Sequence, residues 1–274
     1  LCIFIMFSSF SLLFLLSASI FSPVSCNADH ETVCGSLTSQ GARDACARLL
    51  ASQSAADIES IIAHGAKRQA APGADGPGPD GDAKYRITFT GTWSLSNNPS
   101  ADFPDGASFS EVIVASHVPG EHVMFEVGKK ISDGGETLAE KGDNDELRDE
   151  LRDNNDVFDV SRGDGSFDNK GVQVIEIDVD AEHSAISVMS MIAPSPDWFT
   201  GVDSYALRLA NQWVDDATVL IHPYDAGTDA GNKFTSSNQN ENPQKDVSLI
   251  TDPTIFGSSD ASVATLRIQC LSGA

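Results

Sequence analysis

Positive charge is scarce in this sequence. Lys and Arg number 17 against 40 Asp and Glu, for a formal net charge of -23. Phosphate backbones are held by a basic footprint, so DNA and RNA are excluded as partners. Such a surface suits cations and basic partners instead. Cysteine is scarce too, with five in 274 residues and no CxxC pair, which argues against a structural zinc site. The six histidines are scattered, none in an HExxH or i,i+4 arrangement, and each reads as structural. GxSxG and P-loop patterns are absent, so no catalytic residue is expected. No Asn-x-Ser/Thr acceptor with an allowed middle residue occurs.

What is present divides into blocks. Residues 1–21 carry no charge, and small residues follow at Ser22, Ser25 and Ala28. Residues 1–28 are expected to be a secretory signal peptide; the competing reading is an uncleaved anchor helix. No later segment is apolar enough to span a bilayer. Secretion would permit disulfides among Cys34, Cys46 and Cys270, with Cys34–Cys46 and a bridge to Cys270 both open. Residues 29–69 read as short helices, because Ile58, Ile61 and Ile62 recur at helical spacing. Residues 70–83 are rich in Gly, Pro and Ala and form a linker to a domain at 84–274.

That domain reads as strands. Tyr85, Ile87 and Phe89 alternate with polar residues, as do Ile175, Ile177 and Val179. Further strands are expected at 111–118, 122–127, 185–192, 217–221 and 263–270, with turn signals between them. The pattern argues for an all-β antiparallel sandwich. Residues 143–159 hold eight acids and two arginines and read as a solvated insertion, with Leu147 and Leu151 on the buried side of a short helix. Trp93 and Trp213 are assigned to the core.

Two stretches concentrate the chemistry. Ser190–Ser204 and Ile221–Gly231 place Asp197, Asp225 and Asp229 beside prolines and glycines at strand ends. Convergent carboxylates repel unless a cation joins them, and an all-oxygen set suits Ca²⁺ better than Zn²⁺. The backbone carbonyl of Tyr224 is a further candidate ligand. Trp198 and Phe199 are expected to pack beneath the loop.

At these residues the chain resembles the spondin-domain family. SPDWFTGVDS and YDAGTDAG look like its two signatures, and YRITFTGTW, Phe103–Pro104, Phe109–Ser110, Ala115–His117 and Leu138–Glu140 fall in its order. The likeness covers about residues 84–251. It implies a C2-like β-sandwich with Ca²⁺ at one end and a metal-ligand role for Asp197, Asp225 and Asp229. Animal members commonly carry a cysteine after the GVDS segment; residues 205–211 have none, so their disulfide pattern is not transferred.

Arg162–Gly163–Asp164 forms an RGD tripeptide, read here as turn chemistry rather than an adhesion ligand. The functional expectation is a secreted, extracellular, calcium-binding adhesion module. Its partner would be a cell-surface or matrix protein or glycan. A metal-dependent hydrolase and a phospholipid-binding C2-like module are the alternatives; the shortage of Lys and Arg speaks against membrane binding.

Overall fold

The computed structural model describes residues 81–209 and 212–271. The expected leader, the helices of 29–69, most of the linker and the Cys34–Cys46 pairing lie outside the described residues. The elements run β1 (Ala83–Gly91), β2 (Ser108–Phe109), β3 (Ile113–His117), α1 (Asp133–Lys141), α2 (Asp145–Arg152), β4 (Val157–Arg162), β5 (Phe167–Asp168) and β6 (Val172–Val179). They continue with β7 (Ala185–Ala193), β8 (Trp198–Ala206), β9 (Arg208–Leu209), β10 (Gln212–Trp213), β11 (Asp216–Asp225), β12 (Ser248–Leu249), α3 (Pro253–Phe256) and β13 (Ala264–Leu271).

Eleven strands join in one antiparallel system, with the order β4-β3-β7-β8-β11-β13-β1-β6 along its main path. Strand β11 makes the corner between two layers. Its first half, Asp216–Ile221, pairs with β13, and its second, His222–Asp225, pairs with β8. The result is the expected all-β sandwich, closed nearly to a barrel.

Two apolar clusters hold it. Between the layers, Tyr85, Ile87 and Phe89 of β1 and Ile175, Ile177 and Val179 of β6 meet Ile186, Val188 and Trp198 of the opposite sheet. Each such side chain contributes about 1.5–3 kcal/mol on burial. Trp93 and Trp213 belong to this core, as expected. Outside the β7–β8 sheet, Leu138, Leu147 and Leu151 of the helices cover Met189, Met191 and Phe199. Both faces of β7 are therefore buried, which is why its sequence does not alternate.

The helices are fixed locally. Ser132 caps α1 by accepting from the Gly135 N–H, and Gly142, at φ 70°, ends it by donating to the Leu138 carbonyl. The acidic stretch 143–159 resolves into α2 with Leu147 and Leu151 buried, followed by the start of β4. One strand expectation fails. Residues 122–127 lie in a loop, with Gly120 and Gly128 at positive φ on either side. Gly128 donates to Val247 O and Val247 N–H donates to Lys129 O, so the segment ties to the 226–247 loop instead of a sheet. Its Met124 and Phe125 are buried in the outer cluster.

Candidate metal centre

Register brings two of the three aspartates together. Asp225 ends β11 opposite Trp198, the first residue of β8, and the Ala226 N–H extends the ladder by donating to Asp197 O. Asp197 is thus pinned one residue beyond the strand pair, beside Asp225.

The Asp197 carboxylate is fully buried. Its Oδ2 accepts from the Thr228 N–H at 2.8 Å, the Asp229 N–H at 3.0 Å and the Thr228 hydroxyl at 3.3 Å. Its Oδ1 is buried without a hydrogen-bond partner. A buried orphan on an ionisable group is costly and calls for a counter-ion. Burial first, and then the charge of Asp225, push the Asp197 carboxyl up to about 6; the Asp229 and Thr228 donors oppose the rise. Asp225 is raised as well, chiefly by burial, against the pull of the Gly227 N–H, Lys245 and Trp198. The Lys245 ammonium is itself bound to Glu241 at 2.7 Å and well exposed, so it neutralises the pair weakly.

Asp229 plays a different part from the one its carboxyl suggested. Its Oδ1 accepts from the Gly231 N–H and its Oδ2 from the Gln239 N–H, both at 2.6 Å. The carboxylate shapes the 229–240 loop, while its backbone N–H serves Asp197. Among the described residues no group of three or more His, Cys, Asp or Glu side chains is arranged as a metal cage. Tyr224 sits next to Asp225 in β11, its ring against Phe125 and Phe199. Trp198 and Phe199 are both buried beneath the loop, Trp198 against Phe234 and Phe256.

The residues present fit a hard divalent cation. The set is all oxygen: the buried Asp197 carboxylate with its orphan Oδ1, the half-buried Asp225 carboxylate beside it, and only the exposed Lys245, already bound to Glu241, to offset their charge. Sequence reasoning missed that Oδ2 is held by backbone N–H groups; the Gly-Thr-Asp run after Asp225, able to turn tightly, was the available signal.

The other aspartate of the first signature lies elsewhere. Asp203, six residues along from Asp197, pairs its Oδ2 with His122 Nδ1 at 2.5 Å. Burial raises its carboxyl to about 6 despite His122. It anchors the 119–132 loop rather than the candidate centre.

The RGD tripeptide is engaged. Arg162 Nη1 bonds Asn144 Oδ1 at 2.9 Å and Asp145 Oδ1 at 2.8 Å, with Glu111 at 3.4 Å. The Gly163 N–H donates to Val112 O. Asp164→Glu is therefore expected to leave adhesion of integrin-bearing cells to the coated protein unchanged, scored as cells retained per area; a loss of retention would restore the tripeptide as a ligand.

The fold and this end of it define an antiparallel β-sandwich module with an oxygen-rich, under-neutralised loop site. The chain belongs to the Spondin_N family, whose sequence model matches residues 83–261. Human spondin-2 is 35% identical over 175 residues, covering 62% of this chain and 53% of that protein. Xenopus laevis spondin-1 is 32% identical over 179 residues, covering 62% of this chain and 22% of that protein. The chain thus spans about half the length of the first relative and less of the second. Among the described residues, no helix is long and apolar enough to cross a membrane.

Proposed function

We propose that this protein is a secreted, calcium-binding spondin-type module that acts in cell-surface or extracellular-matrix recognition, without catalysis of its own. The observation that carries the calcium reading is the buried, unpartnered Oδ1 of Asp197 beside Asp225. Asp197 and Asp225 would supply carboxylate oxygens, the Tyr224 carbonyl a neutral one, and Asp229 would hold the loop and add an oxygen through a spare lone pair. With a cation held there, the repulsion between the carboxylates would be offset and Asp197 and Asp225 would tie the 226–240 loop to β8. Its partner class is a matrix or cell-surface protein or glycan, a reading supported by family membership.

Isothermal titration of the metal-stripped protein with Ca²⁺ is expected to show one site, weakened at least about 100-fold by Asp225→Ala, the size of effect expected when one charged ligand is lost. Equal affinity in both proteins would remove the centre. Retention of matrix or cell-surface proteins on the immobilised chain, compared in Ca²⁺ and in EDTA, tests the recognition role separately.

A further inference from the structure

The two outer faces of the sandwich are treated differently. The outside of the β7–β8 sheet is covered by α1, α2 and the outer apolar cluster. The outside of β6-β1-β13-β11 presents Val172 at 55%, Val174 at 56% and Leu220 at 49% exposure. Register sets these in rows across the four strands. Val172 is beside Thr90, which faces Thr265, which faces Leu220; Val174 is beside Thr88 in the next row. This half of the face is apolar and hydroxyl-bearing, apart from Arg267.

The other half is charged, and with Arg267 the face as a whole is neutral in sum. Lys84 pairs with Asp178 at 2.7 Å, Arg86 with Glu176 at 2.9 Å and Arg267 with Asp216 at 2.6 Å. Three bases meet three acids on one face of a chain whose net charge is -23. Two copies of so acidic a protein repel one another through most orientations. Here each acid already carries its own base, so the face that bears the exposed apolar residues adds little to that repulsion.

We propose that this face is a homodimer surface, seating the same face of a second copy sheet on sheet. A two-fold axis running along the strands sets β6 of one copy over β11 of the other, and so Val172 and Val174 over the Leu220 edge. Four strands about 4.8 Å apart and eight residues of about 3.3 Å give a face of roughly 500 Å² per copy. That total of about 1,000 Å² sits at the lower limit for a specific interface, so the dimer is weak and concentration-dependent.

Sedimentation velocity of the whole chain is the test, run from about 5 to 500 μM. The expected result is a shift from the monomer mass toward twice that mass. Association should strengthen as salt rises from about 0.05 to 0.5 M, because screening removes the long-range repulsion while the apolar contact persists. Val174→Glu, at an exposed position, should keep the wild-type melting temperature and weaken association at least tenfold. Val127→Glu, exposed on a different loop, should leave association unchanged. A monomer across the whole range, or a dimer indifferent to Val174→Glu, overturns the proposal; the monomer outcome leaves the face to a partner of another kind. Neither result touches the calcium reading, which the titration tests alone.

Discussion

Asp197→Asn is expected to stabilise the calcium-free protein at pH 7.5 and at the same time to erase its response to calcium. The Asp197 carboxyl is raised from 3.8 to about 6, mainly by burial. A raised carboxyl favours the folded state when protonated. That contribution is fully present below about pH 3.8 and is lost as the pH climbs through about 6. At pH 7.5 the ionised group therefore burdens the metal-free fold by about 2–3 kcal/mol, at about 1.4 kcal/mol per unit. Asn cannot ionise, yet its carbonyl can still accept from Thr228 and Asp229. In EDTA the variant should melt higher than wild type by about 4–12 °C for a domain of this size. The gap should shrink as the pH is lowered and close near pH 4. Calcium at about 100 times its dissociation constant should raise the wild type by about 2.7 kcal/mol and the variant by little. Thermal unfolding of both proteins, each in EDTA and in Ca²⁺ across this pH range, reads all four curves. If the variant melted lower than wild type in EDTA at pH 7.5, the protein's own groups would be satisfying the carboxylate, and no cation would be called for.

How much of this was readable from residue order depends on what each segment buries. Strands β1 and β6 were legible because one face is wet and the other dry, so Tyr85-Ile87-Phe89 and Ile175-Ile177-Val179 alternate cleanly. Strand β7 is covered on both sides, and alternation says nothing there. Strand β4 was hidden in an acid-rich stretch whose Val157 and Val160 pack against the outer cluster. Residues 122–127 have the composition of a strand, but positive-φ glycines on both sides and the bonds to Val247 turn the backbone away from any sheet. At the candidate centre the aspartates themselves were legible, as carboxylates beside turn formers. The pairing of Asp225 with Trp198 was not, because register across strands far apart in sequence is set by global packing. The division of labour within Asp229, amide toward Asp197 and carboxylate toward its own loop, is a matter of ångströms that spacing does not encode.

Gly201→Ala should do the greatest damage of any single methyl added to this domain's strands, and for a reason separate from calcium. Gly201 lies in β8 opposite Met189 of β7 and His222 of β11. A Cβ there would stand 1.9 Å from the Val188 carbonyl oxygen and 3.0 Å from its carbon. These are backbone atoms, so no side chain can swing aside; β7 and β8 must separate. Both strands feed the two apolar clusters, through Ile186, Val188 and Trp198 on one side and Met189 and Phe199 on the other. The expected loss is about 3 kcal/mol or more, or roughly 6–12 °C in melting temperature, and it should persist in saturating Ca²⁺. Gly106→Ala separates collision from strain. Gly106 has a positive φ, 74°, which Gly201 does not, and nothing lies within 4 Å of its Cβ position. It should cost only the about 1–2 kcal/mol of a left-handed backbone. If Gly201→Ala were as mild as Gly106→Ala in a melting scan, β7 and β8 would not approach as closely as their register requires. Asp197 is held beside Asp225 by that same β8, so its juxtaposition with Asp225 would fall with it.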